Sequence, residues 1–319
     1  AHCPSLHRAM SSSTTRSKAP VIPSGLSGPA RVLTRIRMTL SPNSVKGTHQ
    51  SATDLSTVMV EVIHRIVTDP GRLTEAWVRG AVDNGISAFD ALHLARERGI
   101  DVVVIDHHRQ NENLPPAPSI INPNRRDCDY PFKGLAGVGV TFKVVQRLSE
   151  TLIDAGQRRR YLNDLLDLVA LGTVADVVSL DDANRVLVEQ GLRRIRAGKG
   201  CPGIRALLQV AGRDPNRALA ADMGFAVGPR LNAAGRLSDM THGIACLLAE
   251  TDAEALEMAQ ELDTINRERR SIEHGMRDAA MIEVSRLNPE NLPAGLCLYG
   301  KEWHEGVGGI LASRVKEAI

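Results

Sequence analysis

Ile100-Asp101-Val102-Val103-Val104-Ile105-Asp106-His107-His108 is the stretch whose reading decides the fold. A β-branched run over 100–105 is short enough for a buried parallel strand, and it stops abruptly in one carboxylate and two imidazoles. Upstream, Ser87 to Arg98 has helical spacing that turns Phe89, Leu92, Leu94 and Ala95 towards a core, and Gly99 supplies the C-cap. Asn84-Gly85 marks a turn before that helix, and residues 76–82 read as another strand. Strand, helix and strand in this order predict an α/β fold with a doubly wound, mainly parallel sheet.

Downstream, residues 113–124 form a Pro-rich loop, and 137–149 and 157–171 read as helices. Residues 174–179 read as a short strand or a strand-like loop. The charged segment 251–285 carries Leu256, Ala259, Leu262, Ile265 and Ile272 at helical spacing, and its length suits a connector between domains. Pro289 and Pro293 stop it, and an apolar strand over 295–299 opens a second α/β domain that Ile319 cuts short. The expected organisation is a leader (1–50), a first domain (51–245), a connecting helix (246–288) and the start of the second domain (289–319).

The leader stands apart from the rest. It carries seven Arg and Lys residues, no Asp or Glu, and many Ser, Thr and Pro. A disordered or artefactual leader is the first reading, with a targeting peptide or a basic arm on nucleic acid as alternatives. Over the whole chain, 43% hydrophobic and 24% charged residues fit a soluble globular protein. Aromatics at 3% argue against a nucleic-acid platform built from stacked aromatic rings in this stretch. Five scattered cysteines, Cys3, Cys128, Cys201, Cys246 and Cys297, argue against a disulfide framework and for a reducing cytoplasm. No apolar run approaches the roughly 20 residues that a membrane span needs.

The chemistry gathers at strand ends, where open α/β sheets collect their ligands. Asp106-His107-His108 follows one strand and Asp83 ends the one before it. Asp176 sits in the apolar run 172–178, where a carboxylate is costly unless paired or bound to a metal. Alone, a His-His pair can simply cap a strand, and a buried Asp can be a structural cap. Three such positions in one domain point to hard oxygen and imidazole donors suited to Mn²⁺, Mg²⁺ or Zn²⁺.

Seven stretches make the pattern specific. Val82-Asp83-Asn84-Gly85-Ile86-Ser87 and Asp106-His107-His108 resemble successive motifs of RecJ-type exonucleases of the DHH phosphoesterase superfamily. So do the segments 134–143 and 172–176. Gly228-Pro229-Arg230-Leu231-Asn232-Ala233-Ala234-Gly235-Arg236-Leu237 is a RecJ-like signature in its own right. The segment 262–269 resembles the helix joining the two RecJ domains, and 303–314 resembles the substrate-binding motif of the associated second (DHHA1-like) domain.

This resemblance implies a two-ion Mn²⁺ or Mg²⁺ enzyme that digests single-stranded DNA from its 5′ end in repair and recombination. By the same resemblance, Asp83, His107 and Asp176 are metal ligands, with Asp106 and His108 as ligands or their hydrogen-bonded supports. Asp83, Asp106, His107, His108 and Asp176 then form the catalytic set. Arg236, Ser313 and Arg314 would hold the DNA backbone and His304 would face the scissile phosphate. Arg230 reads equally as a structural ion pair. A monomer with a helicase or single-strand-binding protein as partner is also implied.

One motif of that family is missing. An Asp-x-Asp-x-Asp-Gly run belongs about fifty residues before Asp83, and the nearest stretch, 47–57, offers only His49 and Asp54. Either the upstream reading frame is corrupted, or the chain has lost those carboxylates and binds nucleic acid without cutting it. The chain as written is expected to hold one Mn²⁺ weakly and to degrade DNA slowly or not at all. The competing functions are a DHH phosphodiesterase for oligoribonucleotides or cyclic dinucleotides, a manganese pyrophosphatase, and a non-catalytic nucleic-acid-binding module.

Overall fold

A computed structural model describes residues 78–83, 85–287 and 295–319, so the leader and the segment 47–57 lie outside the described residues. Strands β1 (Val78–Val82), β2 (Asp101–Ile105) and β3 (Ser119–Ile121) form a parallel sheet in the order β1-β2-β3. The third strand falls inside the stretch read as a Pro-rich loop. Three residues between prolines are too few to show a period.

Alternation along β2 sends its side chains to two different cores. Val102 and Val104 join Ile86, Ile120 and Leu92 of helix α1 (Phe89–Glu97) on one face. Ile105 joins Ile121, Val138, Phe142, Val145 and Val169 on the other, beneath α2 (Gly137–Leu152) and α4 (Leu166–Ala175). Helices on both faces of a parallel sheet are the expected α/β arrangement. Leu94 departs from the reading of α1 and is 46% exposed. Gly99 does close the helix: its φ of 68° is a conformation that a side chain would disfavour.

The single helix expected over 157–171 is two, α3 (Ala155–Asp164) and α4, meeting at Leu165. The reason lies in their surroundings: α3 buries none of its residues, whereas α4 buries Asp167, Val169, Ala170, Leu171, Gly172 and Thr173. One straight helix could not serve both environments. The strand-like reading of 174–179 is also corrected. The helix runs on to Ala175, and Asp176 N donates to Gly172 O at 3.0 Å. Burial in a helical layer overrides the β-preference of its valines.

Helices α5 (Asp182–Arg196), α6 (Pro202–Val210), α7 (Gly228–Leu237) and α8 (Thr241–Leu248) build a second core around Leu171, Leu192, Ile195, Leu207 and Leu231. Helix α9 (Asp252–Val284) has 33 residues, about 50 Å of rise. Its two halves belong to two different cores. Ala255, Ala259 and Leu262 belong to the second core, while Met276, Ala280 and Val284 pack against Val307, Leu311 and Val315 of α10 (Glu305–Ala318). The strand expected over 295–299 has no ladder partner among the described residues; Leu296 and Leu298 pack on the α9–α10 cluster instead. Among the described residues, no helix is long and apolar enough to cross a membrane.

Candidate metal centre

Sheet register brings the carboxylates together. Val82 pairs with Ile105, Asp83 N donates to Ile105 O at 3.0 Å, and Asp106 N donates to Ile121 O at 3.0 Å. Asp83 and Asp106 therefore leave neighbouring strands at one level of the carboxyl rim. Asp176 reaches the same rim from the C-terminus of α4. His107 Nε2 lies 2.9 Å from Asp83 Oδ1 and 3.3 Å from Asp176 Oδ2. Donor atoms of Asp83, His107 and His108 all fall within 4.8 Å of one another.

Asp106 has a different position from the other two acids. It is fully buried, and its Oδ1 accepts from His107 N at 2.7 Å, His108 N at 3.0 Å and His108 Nδ1 at 2.8 Å. Its Oδ2 accepts from Ile86 N at 2.8 Å. The carboxylate is spent on organising the loop, and its bond to Nδ1 leaves Nε2 of His108 as the nitrogen available to a ligand.

Two asparagines complete the support. Asn122 Nδ2 donates to His108 O at 2.8 Å and Asn124 Nδ2 donates to His107 O at 2.5 Å. The sequence reading missed both. The signal was Asn122-Pro123-Asn124, turn-forming residues directly after a β-branched pair at the same rim.

The backbone is strained where the carboxylates sit. Asp83, at φ 62°, and Val177, at φ 56°, are the two non-glycine residues with positive φ among the described residues. For a β-branched valine this is a marked outlier, and such positions cost about 1–3 kcal/mol and gather at functional sites.

The electrostatics favour a cation. Burial is the largest influence on His107 and would lower its pKa, yet the Asp83 hydrogen bond and the charges of Asp176, Asp83 and Asp106 together raise it. Burial pushes Asp176 up to about 6 against the pull of His107, and the Asp83 charge adds to the rise. Asp176 Oδ2 is buried and accepts no hydrogen bond among the described residues. A cation between these groups would relieve all three at once, and two carboxylates with imidazole form a fitting donor set for Mn²⁺.

The expected DNA-binding residues lie around α10. Arg236, at the end of α7, donates from Nη1 to Gly306 O at 2.9 Å, so α7 abuts the first turn of α10. His304 is the N-cap of α10, its Nδ1 accepting from Gly306 N at 3.1 Å. Ser313 and Arg314 are exposed, and Arg314 lies 3.5 Å from Glu273 of α9 and 3.2 Å from Glu317. Arg230 takes the structural alternative: it is buried, 2.7 Å from Asp263 of α9, and donates to Ala226 O at 2.7 Å. The glycines at close helix approaches are accounted for by packing. A Cβ on Gly172 would meet Val138 at 2.8 Å, and one on Gly306 would meet Arg236 O at 2.2 Å.

Residues 49–173 match the family described as DHH family, N-terminal domain. The single-stranded-DNA-specific exonuclease RecJ of Salmonella typhimurium is 52% identical over 261 residues, covering 78% of this chain and 45% of that protein. The protein of the same name from Bacillus subtilis is 38% identical over 234 residues, 73% of this chain and 28% of that one. The crystal structure of exonuclease RecJ bound to manganese is similar with a TM-score of 0.69 at 30% identity, covering 84% of this chain and 71% of that chain. The chain spans under half the length of the curated relatives it matches.

Proposed function

The chain belongs to the RecJ family of DHH phosphoesterases, and from that premise we propose that it is a metal-dependent exonuclease acting on single-stranded DNA from the 5′ end. The observation that carries this reading is the meeting of Asp83, His107 and Asp176 on one rim, with Asp106 holding the adjoining His108. Divalent ions, Mn²⁺ or Mg²⁺, supply charge for the attacking and leaving oxygens of phosphodiester hydrolysis.

In this reading Asp83 and Asp176 provide anionic oxygens and His107 and His108 provide neutral imidazole nitrogens. Asp106 orients the His108 ring and fixes the backbone N–H of His107, and Asn122 and Asn124 hold the backbone beneath them. Arg236, Ser313 and Arg314 bind the strand's phosphates at the junction of α7, α9 and α10, and His304 faces the bond to be cut. A guanidinium released from Glu273 would suit a phosphate in a way that an ammonium would not. The chain then divides as 51–245 for the DHH domain, 246–288 for the connector and 289–319 for the start of the substrate-binding domain. A cytoplasmic monomer working with a helicase or single-strand-binding protein belongs to the same proposal.

The missing acidic motif favours a second reading, a module that binds nucleic acid without cutting it. One experiment separates them. The chain as written, and a version carrying an Asp-x-Asp-x-Asp-Gly run within 47–57, are incubated with Mn²⁺ and 5′- or 3′-labelled single strands. The restored version should release the 5′ label first and the chain as written little or none. Asp176→Asn should silence both. An inert restored protein that still binds the strand would favour the binding module.

A further inference from the structure

Phe225 is one of three large apolar side chains more than four-fifths exposed among the described residues, with Val177 and Tyr299. It is 81% exposed, although burying such a side chain is worth roughly 1.5–3 kcal/mol. It lies in a π-helical turn, Met223–Val227, a rare geometry that is frequent at functional sites.

This turn is firmly held. Met223 and Val227 are fully buried in the second core, and Ala226 O accepts from Arg230, itself paired with the buried Asp263. The glycines on either side of Phe225 rest on the last turn of α4: a Cβ on Gly224 would lie 3.3 Å from Val174, and one on Gly228 3.6 Å from Ala175. Those two residues immediately precede Asp176. The next residue, Val177, is 87% exposed at its positive φ. An anchored turn that rests on the last turn of α4 thus presents Phe225 to solvent, and Val177 presents a second apolar side chain directly after the carboxylate that faces His107.

We propose that Phe225, on the turn that rests against the end of α4, is a stacking platform for a nucleobase of the strand whose phosphate lies at the metal centre. The inference rests on the proposed single-strand reading and adds a base contact to it. A phosphodiester at the rim would extend its neighbouring bases towards the turn that rests on the last turn of α4. A duplex hides its base faces, whereas a single strand offers them, and every base has a π-face. A ring at this place therefore favours single strands without choosing sequence. One ring next to the site achieves this in a chain with few aromatics.

The test uses the full chain with Mn²⁺ and a fluorescent phosphorothioate oligothymidine, which resists hydrolysis, beside a wholly abasic strand of equal length. Phe225→Ala should weaken oligothymidine binding about 10-fold, within the range that base–aromatic stacking gives on alanine substitution. It should leave abasic binding unchanged, and the salt dependence should keep its slope because no phosphate contact is lost. Phe225→Trp should restore affinity, with its indole emission quenched on addition of oligothymidine. Equal loss on both strands, or no loss on either while the parent chain binds oligothymidine well, would overturn the platform and leave the proposed function standing; the second result would point to a protein partner at this turn. Failure of the parent chain to bind any single strand would overturn both.

Discussion

Asp106 shows how much one residue can decide. Its two oxygens take four donors, three of them backbone N–H groups, so the loop bearing His107 and His108 is built around a single carboxylate. Asp106→Asn replaces one acceptor oxygen by an NH₂ that would face those donors. Each buried donor left unsatisfied costs about 1–3 kcal/mol. We expect a lower melting temperature and a roughly 10–100-fold loss in Mn²⁺ affinity, the usual effect of losing a ligand's support, both measurable by calorimetry. Protonation sets a second expectation at this scale. The pKa of His107 lies above its ordinary value and that of Asp176 at about 6, so both hold protons more readily than usual. Mn²⁺ must displace those protons, and its affinity should climb as pH rises through about 6, where Asp176 titrates, and on through the raised pKa of His107. Titrations in buffers of different ionisation enthalpy would reveal the protons released; a flat affinity from pH 5.5 to 8 would exclude these two groups as ligands.

Elements set where such residues can go. Asp176 depends on α4, and α4 is held by its crossing with α5. A Cβ on Gly191 of α5 would meet Leu166 O at 2.2 Å and Ala170 Cβ at 2.5 Å, both on α4. Gly191→Ala should therefore cost about 1–3 kcal/mol by overpacking and weaken Mn²⁺ binding at the far end of the same helix. Urea unfolding and metal titration check the two parts separately. The helix break at Leu165 and the continuation of α4 to Ala175 were illegible locally. Apolar period and β-branched content describe a segment's preference, whereas burial in a layer between two neighbours decides its state. The pairing of Asp263 with Arg230 belongs here as well. Asp263→Ala would strand a buried guanidinium, and a loss of about 3–5 kcal/mol is expected in urea unfolding.

For the whole molecule, α9 is the member that ties the parts together, because its first half is core to the α4–α8 layer and its second half is core to α10. The positions of His304 and Arg314 relative to the sheet rim depend on that helix together with the direct contact of α7 with the first turn of α10, through Arg236 and Gly306. Metal binding should be felt across the first of these bodies. Mn²⁺ at about 100 times its dissociation constant should add roughly 2.7 kcal/mol to stability, seen as a rise in melting temperature that EDTA reverses. Asp83→Ala and Asp176→Ala should each abolish the rise. A rise that persists in both variants would put the ion elsewhere.

The sequence by itself determined the parallel α/β class, the long helix and the gathering of Asp83, Asp106, His107, His108 and Asp176. These follow from short-range facts: a β-branched run, a helical period, and polar groups in apolar surroundings that need partners. Only the tertiary structure separated Asp106 from Asp83 and Asp176, because all three are carboxylates at element ends and differ only in which donors surround them. It likewise decided that Arg230 is structural, through Asp263 thirty-three residues away, and that Phe225 faces solvent. Partners distant in the chain meet only when the layers pack, and no local spacing encodes which groups a packed layer leaves covered or open.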